Sequence, residues 1–262
     1  MFSFDVQDLL RAVLIFLRIG GIIFVLPIFG DAPTPVRIRT LLAGAIAFGI
    51  YPLVPSSWMP NLGTDVVTIF SMVIRELLVG LTIGFIARLA FEGILMAASM
   101  VGYQMGFGTA GLFMPDAEQT LSGFSALHRV IVMLIFLTLS LHHIFISAIF
   151  DTFILIPAGG ALPKADVGMY FIKITADIFV ISLQIASPIF VALLFSMAAL
   201  GLIARTVPQL NVFTLSFPVS FFLGLIIYAA TFALYPDWMA KHFEEQKEGL
   251  YLVMRNLGVA AF

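Results

Sequence analysis

Long apolar runs, separated by prolines and glycines, dominate the pattern of hydrophobic and polar positions along the chain. They extend over residues 9–29, 41–54, 66–115, 127–156, 172–203 and 212–234. A helix that spans a membrane needs about 20 mostly apolar residues, whereas a transmembrane β-barrel shows short segments of alternating polar and apolar residues. The pattern therefore predicts an all-α, multi-helix integral membrane protein.

Two runs in the first half leave alternatives open. The run at 41–54 is short and lies between Pro35 and Pro55, so a tilted span, a half-span and a helix buried in protein all fit it. The run at 66–115 contains charged residues and predicts either two helices or one long bent helix.

Helix breakers mark the second half of the chain. The run at 127–156 predicts one helix, which Pro157 closes. Pro188 should kink or break the next helix near Ser187, because proline has no backbone N–H to donate. The last apolar run should end at Pro236.

The tail after Pro236 has a different pattern. Its apolar residues recur at helical spacing, at Met239, Phe243, Leu250, Met254 and Leu257. Charged residues occupy the opposite face, at Lys241, Glu245 and Glu248. The spacing predicts an amphipathic helix that lies on a membrane or protein surface.

Composition narrows the class of protein further. Of the 262 residues, 61% are hydrophobic and 11% are charged, whereas a soluble domain carries about 25% charged residues. A net charge of -2 without a basic stripe argues against nucleic acid as a partner. The absence of cysteine excludes disulfides and thiolate chemistry. Asp5 and Asp8 precede the first apolar run, which favours a retained anchor over a cleaved signal peptide.

Charged residues inside the apolar runs are candidates for function or assembly. Arg18 lies deep in the first run, with Arg11 seven residues earlier on the same helical face. Such arginines either extend toward an interface or pair with carboxylates of another helix or subunit. Two further pairs are spaced i,i+4 and are expected to neutralise each other: Arg88 with Glu92, and Lys173 with Asp177.

The motifs that would mark an enzyme are missing. The carboxylates of a hypothetical proton relay would be Glu76, Glu92, Asp151 and Asp177. His142 and His143 are adjacent and have no partner at i+4 for a helical zinc site. Ser122 and Ser125 near His128 do not form a nucleophile elbow. We therefore predict no catalytic residue, no metal and no cofactor.

The most distinctive segment is GYQMGFGTAGLFMP at residues 102–115, which holds four glycines and two methionines. So much glycine opposes a regular helix. Tight helix packing followed by an ordinary loop is one interpretation, because Gly80 with Gly84 and Gly102 with Gly106 match the small-xxx-small spacing. The other is an irregular segment sealed by flexible methionines, which would suit a gate.

Two motifs carry a resemblance to a known family. RIGGIIFVLPIFGDAPTPVRIR at residues 18–39 resembles the N-terminal motif of the FliR family. GLIARTVPQLNVF at residues 201–213 resembles that family's motif before the last apolar helix. The matching positions are Gly21, Pro27, Gly30, Pro35, Pro208, Gln209 and Asn211, and the resemblance covers nearly the whole chain.

The resemblance implies a single-copy subunit of the flagellar type III protein-export gate. Its partners would be FliP and FliQ, with FlhB and FlhA approaching them, in the bacterial inner membrane at the flagellar basal body. Unfolded export substrates would pass through the gate, and membrane lipid would surround part of it. The implied fold is a FliP-like portion over residues 1–165, a FliQ-like helical hairpin over 166–236 and an amphipathic helix over 237–262.

Individual residues acquire roles from the same resemblance. A loop at 106–116 would plug the closed channel beside a methionine-rich gasket. Its candidates are Met105, Gly106, Phe107, Gly108, Gly111, Phe113 and Met114. Candidates for assembly or charge pairing are Arg18, Arg37, Arg39, Arg88, Glu92, Lys173, Asp177 and Arg205.

Other functions compete with this one. Relatives in virulence injectisomes commonly carry a lysine shortly after the proline that follows PQLNVF, whereas Pro218 is followed here by Val219, Ser220 and Phe221. This difference favours the flagellar branch. An independent secondary transporter would place its site at broken helices such as those expected at Pro188 and Gly106, and an intramembrane protease ranks last.

Overall fold

Every element in the part of the chain that the structure describes is helical, which confirms the predicted fold class. The structure is a computed structural model, and it describes residues 6–27, 35–54, 58, 65–107, 117–158, 165–207, 209 and 211–259. The α-helices within these ranges are α1 (Val6–Val25), α2 (Val36–Ile50), α3 (Val66–Gln104), α4 (Ala117–Thr138), α5 (His142–Leu155), α6 (Ala165–Thr206), α7 (Val212–Thr231) and α8 (Tyr235–Val259). Short 3-10 turns at Tyr51–Leu53 and Phe232–Leu234 follow α2 and α7.

Several helices are long and apolar enough to cross a membrane. Among the described residues these are the segments Val36–Leu53, Val66–Gln104, Gly168–Thr206 and Thr214–Gly258, and the broken pair α4 and α5 counts as a fifth. α1 has the length of a span but carries Asp8, Arg11 and Arg18. The 39 residues of α3 extend over about 58 Å, roughly twice the thickness of the hydrocarbon layer. At the helix tilts of up to about 40° that occur in membrane proteins, a helix of this length would extend beyond that layer.

Within the apolar run at 66–115, the described residues form the single helix α3, Val66–Gln104, and not two helices. Residues 108–115 lie outside the described residues. The single helix predicted over 127–156 is wrong, because α4 ends at Thr138 and α5 begins at His142. Ser140 between them has a φ of 57°, in the left-handed region that interrupts a right-handed helix. No proline or glycine marks this position.

Of the kink or break expected at Pro188, the break is wrong, because α6 continues through it, and the kink stays a prediction. Proline leaves the carbonyl four residues earlier, that of Gln184, without its helical N–H donor. The Ser187 hydroxyl donates to this carbonyl at 2.9 Å. The neighbouring side chain thus offsets part of the loss. Pro236 likewise ends no helix, since it lies in the first turn of α8, where a missing N–H is tolerated.

The described helices contribute to two compact units, each assembled from separate stretches of chain. The first unit comprises Met1–Phe91, Leu141–Thr175 and Phe243–Phe262, and the second comprises Glu92–Ser140 and Ala176–His242. Each has its own buried apolar residues, for example Leu14, Phe91 and Phe153 in the first and Phe136 and Leu193 in the second. The division at residues 165 and 236 rests on the family resemblance and stays a prediction.

The C-terminal helix α8 is amphipathic, as predicted. Its five predicted apolar residues, Met239, Phe243, Leu250, Met254 and Leu257, are all buried. Lys241, Glu245 and Glu248 on the other face are exposed. At its end, a methyl group added to Gly258 would collide with the carbonyl oxygen of Leu155. The last turn of α8 therefore lies directly against the C-terminal end of α5.

Candidate functional site

A buried arginine links several helices of the first unit through hydrogen bonds. Arg18 of α1 is fully buried, and its guanidinium pairs with Glu76 of α3 through two bonds, Nε to Oε2 at 2.6 Å and Nη2 to Oε1 at 3.1 Å. This geometry is the two-point pairing that the planar guanidinium favours. Of the alternatives left open by the sequence, the structure shows the arginine paired with a carboxylate of another helix.

The remaining donors of Arg18 bind the C-terminal end of α5. Nη1 donates to the carbonyls of Thr152 at 2.8 Å and Ile156 at 2.9 Å, and Nη2 donates to the carbonyl of Pro157 at 3.4 Å. A guanidinium has five N–H donors, and all five are used. A cation at this position also complements the negative end of the helix dipole, and the Thr152 carbonyl additionally accepts from the Ile156 N–H at 2.9 Å.

Aromatic rings complete the surroundings of the guanidinium. The Arg18 Cζ atom lies 5.2 Å from the ring centre of Trp58 and 5.0 Å from that of Phe153, within the range of cation–π attraction. The Trp58 indole N–H donates to the Ile156 carbonyl at 3.0 Å. We call Arg18, Glu76, Trp58 and the carbonyls of Thr152, Ile156 and Pro157 the Arg18 cluster.

Glycines allow α1 and α3 to approach closely enough for this pairing. A methyl group on Gly80 would collide with the carbonyl oxygen of Arg18, and one on Gly84 would lie 2.8 Å from that of Ile22. Gly21 on α1 faces the α3 backbone, because a methyl group there would lie 3.0 Å from the Leu81 nitrogen. The small-xxx-small spacing of Gly80 and Gly84 thus marks a real helix contact.

The glycine-rich segment begins in the second unit, where α3 ends at Gln104. Gly106 has a φ of 100°, a conformation that favours glycine. Met105 is fully buried, and a methyl group on Gly224 of α7 would lie only 2.6 Å from its Cγ atom. Because Gly224 has no side chain, it leaves the space that the Met105 side chain occupies.

Phe107 packs into a group of aromatic rings. Its ring centre lies 6.1 Å from Phe124, 6.5 Å from Phe217 and 5.7 Å from Phe221. Met105 and Phe107 belong to one buried cluster, completed by Val101, Ala186, Ile189, Leu193 and Tyr228. We call it the Met105 cluster. The other plug candidates, Gly108, Gly111, Phe113 and Met114, lie outside the described residues.

The sequence did not reveal the pairing of His128 with Tyr228. His128 is fully buried in the second unit. Its Nδ1 atom lies 2.5 Å from the Tyr228 hydroxyl, and its Nε2 atom lies 3.0 Å from the Ile94 carbonyl. A carbonyl only accepts, so Nε2 carries a proton. Both ring nitrogens are engaged away from Ser125, whose Oγ lies 3.5 Å from that of Ser99.

Two of the four carboxylates considered for a proton relay are bonded within the first unit. Glu76 holds Arg18, and Asp151 accepts a hydrogen bond from the Tyr251 hydroxyl. Within the described ranges, no group of three histidine, aspartate or glutamate side chains is arranged to hold a metal ion.

The other predicted charged residues are distributed over several helices. Arg37 and Arg205 are exposed, Arg39 is half-buried, and Arg11 donates to the Val54 carbonyl. Arg88 and Glu92 are half-buried on α3, while Lys173 is exposed and Asp177 half-buried on α6. The pairing of Arg88 with Glu92 and of Lys173 with Asp177 stays a prediction.

The family-motif residues take varied positions. Pro27 is buried, and Pro35 directly precedes α2. Gln209 is exposed. Asn211 caps α7, because its side-chain oxygen accepts from the Thr214 N–H at 3.2 Å. Gly30 and Pro208 lie outside the described residues.

Comparisons with known proteins agree with the two motifs. The model of the family described as bacterial export proteins, family 1, matches residues 9–246. The chain is similar to flagellar biosynthetic protein FliR of Escherichia coli (strain K12), with 29% identity over 231 residues that cover 87% of each chain. It is also similar to flagellar biosynthetic protein FliR of Bacillus subtilis (strain 168), with 28% identity over 257 residues, 95% of this chain and 98% of the relative. The chain therefore belongs to the bacterial export proteins, family 1.

Proposed function

We propose that this chain is a structural gate subunit of the flagellar type III protein-export apparatus. The observation that carries the proposal is the family match over residues 9–246, together with relatives named flagellar biosynthetic protein FliR. In this proposal one copy assembles with FliP and FliQ in the bacterial inner membrane, at the flagellar basal body, and FlhB and FlhA approach the assembly. The names of the matched relatives favour the flagellar branch over the injectisome branch.

Exposed apolar side chains support assembly with neighbouring subunits. Large rings stand on the outer faces of three long helices, with exposed fractions of 65% for Phe70 on α3, 67% for Phe195 on α6 and 62% for Phe222 on α7. Such surfaces mark contacts with lipid or with another protein. Because α3 is roughly twice as long as the hydrocarbon layer is thick, lipid alone does not cover it, and neighbouring subunits are expected to cover the rest.

The proposed mechanism is passive gating. Unfolded substrates pass through a narrow conduit that the glycine-rich segment closes. Met105 and Phe107 hold the start of this segment in a buried cluster, which would attach a plug firmly to the helices. The energy for export comes from other subunits, and the chain itself hydrolyses nothing.

The gate is tested by replacing residues 106–111 with a shorter flexible segment. The variant complex should assemble and should make the membrane leaky to ions, measured as conductance in a planar bilayer. Gly123→Ala is the control, because its added methyl group meets nothing within 4 Å and should leave conductance unchanged. Unchanged conductance in an assembled complex that carries the shortened segment would refute the plug assignment.

A further inference from the structure

His128 and Tyr228 form a buried hydrogen bond in the second unit that none of the functions discussed above uses. The side chain of His128 is fully buried, and Tyr228 is 4% exposed. The Nδ1 atom of His128 lies 2.5 Å from the hydroxyl oxygen of Tyr228. Because the buried residues packed around Tyr228 are apolar, breaking this bond would leave two buried polar groups without each other as partners, which is costly.

The imidazole of His128 links three helices through its two nitrogens. His128 belongs to α4, and its Nε2 atom lies 3.0 Å from the carbonyl oxygen of Ile94 on α3. A carbonyl only accepts, so Nε2 carries the proton, and Nδ1 of the neutral ring accepts from the Tyr228 hydroxyl on α7. The bond from Tyr228 to His128 therefore has a fixed direction and connects α7 to both α3 and α4.

The Tyr228 ring is part of the Met105 cluster. Gly224, which leaves the space for the Met105 side chain, lies four residues before Tyr228 and so on the same face of α7. The Tyr228 ring also packs against Phe124, with ring centres 5.0 Å apart. A rotation or shift of α7 that releases Met105 would therefore move the Tyr228 hydroxyl away from His128.

We propose that His128 and Tyr228 are positioning residues of the gate, because their hydrogen bond holds α7 against Met105. The bond thereby keeps Met105 and Phe107, at the start of the glycine-rich segment, in their buried positions while the gate is closed. The inference rests on the proposed gating function and adds to it one bond whose loss favours opening. Both residues act through the Met105 cluster rather than through contact with an export substrate.

Tyr228→Phe tests the bond directly, because it removes the hydroxyl and keeps the ring. The complex that carries the variant is purified from membranes, and its ion conductance is measured in a planar bilayer in potassium chloride. We expect the conductance per assembled complex to rise about fivefold, because the loss of one hydrogen bond shifts an equilibrium by roughly that factor.

Tyr235→Phe is the matched control for this substitution. Tyr235 is 5% exposed, and its ring centre lies 5.7 Å from that of His128, close to the 5.9 Å of Tyr228. Within the described part of the chain, the Tyr235 hydroxyl makes no hydrogen bond, so Tyr235→Phe should leave the conductance unchanged. Equal conductance of the Tyr228→Phe and Tyr235→Phe complexes would overturn the proposal.

Two substitutions of His128 separate its two bonds. In His128→Asn the amide lies near the position of Nδ1 and can still accept from Tyr228, whereas in His128→Gln the amide lies near that of Nε2 and can still donate to Ile94. We expect His128→Gln to raise the conductance as much as Tyr228→Phe, with no further rise in the double variant, and His128→Asn to raise it less. A histidine that only stabilises the fold predicts equal conductance of the two variants, and that result would overturn the proposal. His128→Gln also answers the question if Tyr228→Phe does not assemble.

The shortened 106–111 segment distinguishes a failure of this inference from a failure of the gating function. That variant should leak whether or not the bond between His128 and Tyr228 contributes to closure. A leak from that variant without one from Tyr228→Phe would refute the role of the bond alone. No leak from either variant would refute the gating function and this inference with it.

Discussion

The pairing of Arg18 with Glu76 yields the sharpest prediction about stability. Glu76→Leu keeps a side chain of similar size and removes the carboxylate that accepts from Nε and Nη2. Arg18 stays fully buried, so its charge loses its partner. Removing one member of a buried ion pair costs about 3–5 kcal/mol. Since about 1.4 kcal/mol corresponds to a factor of ten, the equilibrium ratio of folded to unfolded chain should fall by a factor of roughly a hundred to a few thousand.

A second ion pair of similar length, but exposed to solvent, serves as the control for the effect of burial. Lys247 and Glu244 on α8 lie 2.8 Å apart, close to the 2.6 Å of the buried pair, but their side chains are 38% and 59% exposed. An exposed pair contributes about 0.2–1 kcal/mol. Lys247→Ala should therefore change the free energy of unfolding far less than Glu76→Leu.

Trp58 provides the assay, because its ring lies beside Arg18 and its indole N–H is bonded to Ile156. In a Trp238→Phe background its fluorescence reports unfolding of the first unit during a denaturant titration in mild detergent. The midpoint for Glu76→Leu should lie well below that for Lys247→Ala. Equal midpoints for the two variants would refute the assignment of the Arg18 cluster as a main source of stability in this unit.

Two further predictions concern the second unit and the family motif. Gly224→Ala should destabilise by about 1–3 kcal/mol through overpacking against Met105, whereas Gly201→Ala, whose methyl group meets nothing within 4 Å, should be neutral or stabilising; thermal unfolding followed by circular dichroism measures both, and similar effects would contradict the packing argument. Asn211→Ala should cost about 1 kcal/mol by removing the N-cap of α7, and Asn211→Asp should retain most of the stability; equal losses in the same assay would assign Asn211 a role other than capping.

The helical fold was predictable from the sequence because apolar runs of about 20 residues have few alternatives in a membrane. The ends of helices were less predictable where contacts beyond the local sequence pattern determine them. α6 passes through Pro188 with the help of the Ser187 hydroxyl. The helix between α4 and α5 is interrupted at Ser140, where the sequence has no proline or glycine to predict the interruption.

The partners within the candidate site depended on long-range packing. The sequence left two alternatives for Arg18, an extension toward an interface or a pairing with a carboxylate of another helix or subunit, and it named no partner. The choice of Glu76 depends on the contact between α1 and α3 that Gly80 allows. His128 and Tyr228 lie 100 residues apart, and no local spacing predicts their pairing.

We propose that the chain functions as one subunit of a larger export gate. The most direct test is to purify the full-length chain from membranes through an affinity tag and to measure the mass and composition of what is recovered. We expect a complex with one copy of this chain bound to FliP and FliQ, and no solute uptake by the isolated chain in vesicles. Recovery of the chain alone, together with substrate uptake by that chain, would refute the role as a gate subunit and would indicate an independent secondary transporter.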